Sequence, residues 1–133
     1  NVSFRLSNDL LSNHKFDLYE IINSADILIT DYSGIYIDYL LLDRPIIFTP
    51  VDLNDYASSR DFLYGPYDEW TPGPKVVRQN NLEDEVLKLL GDSTYYKSHR
   101  SSIKKMMHQY FDNKSCGRVS DLINSLLDDR RGR

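Results

Sequence analysis

The chain has 133 residues, 41% hydrophobic and 27% charged, which suits one globular domain with a single core rather than a disordered chain. Its formal charge of −4 offers no net basic field to a nucleic-acid backbone, and a single cysteine, Cys116, excludes a disulfide framework and a cysteine-based metal site. No apolar run reaches the ~18 residues needed to span a bilayer and no signal peptide opens the chain, so a cytoplasmic setting is expected.

The start at Asn1-Val2-Ser3-Phe4, without Met, reads as a cut inside a longer protein. Val2 to Leu6 alternates apolar and polar and predicts a short strand, followed by a polar loop from Ser7 to Lys15. Asp17 can cap a helix through Ala25, with Leu18, Ile21, Ile22 and Ala25 at the spacing of one buried face. Ile27 to Thr30 is a continuous apolar run, as expected of a strand covered on both sides. Asp-Tyr-Ser-Gly follows, and a helix is predicted from Ser33 to Leu42, stopped by Asp43-Arg44-Pro45. Ile46 to Phe48 predicts another buried strand, and Asp52 to Ser59 a short helix. Arg60 to Pro74 is a long aromatic loop, longer than a simple connector needs. Lys75 to Arg78 predicts the last strand. Helices are expected over Leu82–Leu90, Thr94–Tyr110 and Ser115–Leu127.

Strands alternating with helices imply an α/β fold, a three-layer Rossmann-like parallel sheet of three or four strands with extra C-terminal helices. Residues 1–133 are expected to form one nucleotide-binding domain. Ligands of such sheets sit at the carboxyl ends of the strands, where Asp31-Tyr32-Ser33-Gly34 and Pro50 to Asp52 would lie together.

Strand, small-residue turn and helix start together form an anion-binding arrangement, because the first N–H groups of a helix lack partners and carry partial positive charge. Ser33 offers a hydroxyl there, and Gly34 lets an anion approach the backbone. Asp31 would repel phosphate, so it either caps the helix, orients the turn or holds a hydroxyl. Asp38, among Ile37, Tyr39 and Leu40, either accepts two hydrogen bonds from a ribose diol or faces solvent. Arg60 either grips a phosphate or is a surface arginine. Tyr64, Tyr67, Trp70 and the Thr71-Pro72-Gly73-Pro74 turn either stack on a base, close over a polyol or pack on the domain surface. His14, His99 and His108 share no metal-ligand spacing, and no catalytic triad, Walker A loop or GxGxxG fingerprint is present, so no metal or cofactor is expected.

With these residues in view, the chain resembles the CDP-glycerol:poly(glycerophosphate) glycerophosphotransferase family. The likeness lies in Asp17-Leu18-Tyr19-Glu20, Ala25 to Ser33, Tyr36-Ile37-Asp38-Tyr39 and Asp43 to Phe48. It continues in Asp52-Leu53 with Tyr56, Arg60 with Phe62, and Thr71-Pro72-Gly73-Pro74; Phe111 to Val119 is similar to the family's end segment. The resemblance implies the C-terminal half of a GT-B fold, which binds a CDP-glycerol or related CDP-polyol donor. Ser33 and Gly34 would hold the diphosphate, Asp38 the ribose, and Arg60 would assist, with Asp31, Tyr32, Thr71, Gly73, Ser115 and Arg118 as further contacts. It also implies that the catalytic histidines lie upstream, with no catalytic residue in this chain. The polymer acceptor would bind the missing N-terminal domain, and the intact protein would work peripherally at the inner face of the bacterial membrane. The family usually carries Ser at the position of Gly34, which leaves open a catalytically inactive scaffold domain. Two other readings are a GT-B glycosyltransferase using a nucleoside-diphosphate sugar and a flavodoxin-like signalling domain; the acidic cluster expected of the latter is missing around Asp31.

Overall fold

The computed structural model describes residues 17–60 and 65–131. The strand and loop expected before Asp17 lie outside the described residues, as do Phe62 and Tyr64.

Helix α1 (Leu18–Ile22) opens on a capping box. The Asp17 carboxylate accepts the Tyr19 N–H at 2.9 Å, and Glu20 accepts the Asp17 N–H at 3.2 Å, so each satisfies an orphan donor of the first turn. The helix ends three residues before the predicted Ala25 because the carbonyls there have other donors. Arg44 Nη1 donates to Asn23 O at 2.6 Å and to Ala25 O at 2.8 Å, and the Tyr39 hydroxyl donates to Ala25 O at 2.7 Å. Ile22 and Ala25 face the core as predicted, whereas Leu18 is exposed.

Strand β1 (Leu28–Thr30) pairs in parallel with β2 (Ile46–Phe48) in the register Leu28↔Ile46, Ile29↔Ile47, Thr30↔Phe48. Between them lie α2 (Ile35–Tyr39) and a 3-10 turn (Leu40–Leu42), shorter than the continuous helix predicted from Ser33. The crossover ends at Asp43, which adopts the left-handed conformation (φ 52°), just before Pro45. Helices α3 (Leu53–Arg60) and α4 (Tyr67–Trp70) follow, the second inside the stretch read as loop. Then come α5 (Gln79–Gly91), α6 (Lys97–Met107) and α7 (Ser115–Arg131).

Alternation along β2 divides the core. Ile46 and Phe48 face a cluster with Tyr36, Tyr39, Leu40 and Ile103, against which Trp70 and Met107 pack. Ile47 faces the other side, with Val76 and Leu89 and the partly buried Ile27, Leu82 and Val86. The first cluster draws on α2, α4 and α6, and the second on α5, giving the expected three layers. Two expectations are corrected. β1 is not covered on both sides, since Ile29 is 47% exposed. The strand expected at Lys75 to Arg78 reduces to one parallel bridge, Phe48↔Lys75, so the described sheet has two strands. Pro74 lacks an N–H and cannot extend a ladder. Its carbonyl instead accepts the Phe48 N–H at 2.9 Å, and Val76 N–H donates to Phe48 O at 2.8 Å.

Candidate functional site

The carboxyl ends of β1 and β2 are joined by the Thr49 N–H, which donates to Thr30 O at 2.7 Å. The chain after each strand therefore emerges at one place, as the sequence predicts. Tyr32 bridges the two turns. Its hydroxyl donates to Asp52 Oδ1 at 2.8 Å, and its ring stacks on Tyr56 of α3 with centroids 4.1 Å apart. Its ring also meets the Tyr67 ring edge-on at 5.8 Å, while the Tyr67 hydroxyl donates to Asp31 O at 3.1 Å. Burial, reinforced by the Asp52 hydrogen bond, pushes the Tyr32 phenol up to about 12, and burial raises Tyr67 as well, so both stay protonated donors at neutral pH.

Between these ties the turn itself is open. The Asp31 carboxylate accepts the Ser33 N–H at 3.0 Å within the turn, and the helix N-cap is Gly34 rather than Asp31. Ser33 and Gly34 are both exposed, and a Cβ added at Gly34 would meet nothing within 4 Å. The N–H groups that open α2 have no partner inside the helix. The turn can thus offer a hydroxyl and backbone donors to an anion at the strand ends.

Arg60 is the last residue of α3 and exposed, one helical turn beyond Tyr56, and therefore on the helix face that carries the stacked ring. Asp38 lies elsewhere. It is exposed rather than enclosed by apolar neighbours, and it accepts the Tyr19 hydroxyl at 2.9 Å. The two line a hollow of about 480 Å³ between α1 and α2, with Asn23 at its rim and Ile22, Leu41 and Leu42 in its wall. Ser33 and Gly34 are not among the residues lining that hollow. The hydrogen bond to Asp38 raises the Tyr19 phenol.

Thr71 and Gly73 are buried in the contact between loop and sheet. The Thr71 hydroxyl donates to Tyr67 O at 2.6 Å, and its carbonyl accepts the Lys75 ammonium. Gly73 sits against the backbone of Ile46. Tyr67 and Trp70 pack against the core while staying partly exposed. His99 and His108 each place Nε2 against a carbonyl, Glu69 O at 3.0 Å and Ile37 O at 2.7 Å, and both serve to dock α6. Arg44, at the opposite end of the sheet, ties α1 to β1.

Ser115 and Arg118 belong to a closed cluster at the start of α7. Arg118 Nη1 donates to both Asp112 oxygens at 2.8 and 3.0 Å, Nη2 donates to Ser115 Oγ at 3.0 Å, and the guanidinium lies 4.0 Å over the Tyr110 ring. Chiefly through the Arg118 hydrogen bond, Asp112 titrates below the ordinary aspartate value of 3.8. Its contribution to stability is present above 3.8 and is lost as pH falls through the lower folded value. Arg118→Ala should return the Asp112 titration toward 3.8, followed through its carboxyl carbon shift in the intact protein.

The residues that sequence reasoning left out of the site are Asp52, Tyr56 and Tyr19. Their signal was positional: Asp52 and Tyr56 follow the end of β2, and Tyr56 precedes Arg60 by one helical turn. Among the described residues no group of three His, Cys, Asp or Glu could hold a metal ion, and no helix is long and apolar enough to cross a membrane.

The sequence profile of the CDP-Glycerol:Poly(glycerophosphate) glycerophosphotransferase family matches residues 5–125. A teichoic acid ribitol-phosphate primase of Bacillus spizizenii is 35% identical over 116 residues, covering 84% of this chain and 28% of the primase. A teichoic acid poly(ribitol-phosphate) polymerase of the same organism is 33% identical over 110 residues, covering 80% of this chain and 16% of the polymerase. Among solved structures, a variant of the wall teichoic acid polymerase TagF superposes with a TM-score of 0.67 at 27% identity, over 92% of this chain and 30% of that one. The variant soaked with CDPG superposes with a TM-score of 0.65 at 27% identity, over 96% of this chain and 34% of that one. The chain thus spans about a third or less of these proteins. With the profile matched across nearly its whole length and the fold shared, the chain belongs to the CDP-glycerol:poly(glycerophosphate) glycerophosphotransferase family.

Proposed function

We propose that residues 1–133 form the donor-binding domain, the C-terminal half of a GT-B fold, of a longer transferase that moves polyol phosphate from a CDP-polyol to a teichoic-acid or capsule-type polymer. The observation that carries this reading is the open Ser33–Gly34 turn, held at the carboxyl ends of two parallel strands by Tyr32 and Tyr67. Family membership supports the chemistry, and the CDPG-soaked structure of a related polymerase supports the donor class.

In this reading Ser33 Oγ and the N–H groups opening α2 receive the diphosphate, and Arg60 neutralises its outer oxygens. An acceptor hydroxyl attacks the phosphorus next to the polyol. A P–O bond to the acceptor forms, the anhydride bond to CMP breaks, and the hydroxyl proton passes to a base from the rest of the protein. Negative charge grows on the departing CMP oxygen, where the turn's donors and Arg60 stabilise it. The acceptor polymer, and any docking at the inner face of the membrane, are assigned to the rest of the intact protein.

The test is calorimetric titration of the intact protein with CDP, CDP-glycerol, UDP and ADP. Cytidine nucleotides should bind in preference. Ser33→Ala should weaken CDP about ten- to a hundredfold, the loss of one hydrogen bond to a charged group. Unchanged CDP affinity in that variant would overturn the phosphate assignment. Gly34 favours a second reading, a domain that binds without turnover. If Gly34→Ser, which fits in open space, creates transfer activity in a protein that lacks it, that second reading holds.

A further inference from the structure

We infer that Tyr32 is a positioning residue, not a ligand contact: through Asp52 and Tyr56 it locks the Ser33–Gly34 turn to α3, so that the turn and Arg60 present one fixed diphosphate site. This inference rests on the reading of the turn given above.

Each functional part of the Tyr32 side chain is already engaged inside the domain. The hydroxyl donates to Asp52 Oδ1 at 2.8 Å, at the start of α3. One ring face lies on Tyr56 at 4.1 Å with an interplanar angle of 19°, and the Tyr67 ring stands against it at 61°. The backbone on either side of Tyr32 is fixed as well. Asp31 O accepts the Tyr67 hydroxyl at 3.1 Å, and the Ser33 N–H donates to the Asp31 carboxylate at 3.0 Å. The side chain next to Ser33 therefore sets where Ser33 stands. It does so against the same helix face that ends in Arg60 one turn later. A diphosphate bound by both needs that spacing to be constant, because a turn free to drift from α3 must be ordered again at each binding event.

The distinguishing measurement is the affinity of the intact protein for CDP and for cytidine, which lacks the diphosphate. Tyr32→Phe keeps the stack and removes the hydroxyl; Asp52→Ala removes the acceptor; Asp52→Asn keeps an oxygen that can accept the same O–H. Tyr32→Phe and Asp52→Ala should each weaken CDP about three- to tenfold and leave cytidine unchanged. The double variant should be no worse than either single, and Asp52→Asn should stay within twofold of the unaltered protein. A merely structural role would lower the folded fraction and reduce CDP and cytidine binding alike. Equal loss on both ligands, additive effects, or an Asp52→Asn as weak as Asp52→Ala would each overturn the inference. If Ser33→Ala weakens CDP and Tyr32→Phe does not, the inference alone falls. If Ser33→Ala has no effect, or the unaltered protein binds no CDP, the reading beneath it falls too.

Discussion

Gly73→Ala is expected to destabilise the protein by about 3–5 kcal/mol, the largest effect of a Cβ added at any described glycine. A Cβ at Gly73 would lie 2.0 Å from the carbonyl oxygen of Ile46, 3.0 Å from its carbon and 3.3 Å from the Phe48 ring. Two of these three atoms are backbone of β2, whose three residues are all buried, so neither partner can swing aside. Thr71, Pro72 and Pro74 are buried with it, and the turn has no room to retreat. Thermal or urea denaturation of the intact protein should show the loss as a lower midpoint for the transition that reports this domain. Gly65→Ala, whose added carbon would meet only the Trp70 ring nitrogen at an ordinary 3.6 Å, serves as the control and should change stability by less than about 0.5 kcal/mol. An unchanged midpoint for Gly73→Ala would mean that the loop stands further from β2 than described.

Arg100→Ala should be nearly as costly, about 3–5 kcal/mol. Arg100 is 1% exposed on α6. Its Nη1 donates to Tyr95 O at 2.7 Å and its Nη2 to Ser93 O at 2.8 Å, while Nε stands 3.8 Å from Asp43 Oδ1, too far for a hydrogen bond. Burial pulls the guanidinium below its usual value, and the Asp43 carboxylate opposes that shift. Truncation would remove both bonds from the carbonyls ahead of α6 and leave a cavity beside the core. Arg100→Lys should not restore stability, because one ammonium cannot reproduce the planar fork that reaches two carbonyls at once. Denaturant unfolding at neutral pH checks both variants. A loss below about 1 kcal/mol for Arg100→Ala would show that water replaces the guanidinium without penalty.

What could be read from the sequence was local. The Asp17 cap needed only its Glu20 partner three residues on, and β2 needed only three consecutive apolar residues before a turn. The meeting of the Asp31–Gly34 and Pro50–Asp52 segments followed from parallel pairing alone. What could not be read depended on distant partners. Asp38 looked enclosed because its sequence neighbours are apolar, yet those neighbours turn inward and leave its carboxylate exposed to Tyr19, a residue of the preceding helix. Arg118 and Ser115 looked available, but Asp112 lies within reach and pairs with Arg118, whose other nitrogen donates to Ser115 Oγ. The predicted last strand failed on ladder chemistry, since the residues before Lys75 serve to cross β2 closely and leave a single bridge. Ile29 is exposed although its sequence context matches that of the fully buried Ile47, its partner in the ladder.

The connection from β1 to β2 has little slack. A parallel crossover needs a dozen or more residues, and the stretch between Thr30 and Ile46 barely exceeds that while containing the open Ser33–Gly34 turn, a short helix and a single 3-10 turn. An insertion there would shift Tyr32 away from Asp52 or push the strands out of step; a deletion would break the pairing. Substitutions in this segment can therefore swap side chains, but the chain there cannot be lengthened or shortened. Diversification of this end of the sheet should proceed by replacement rather than by loop growth.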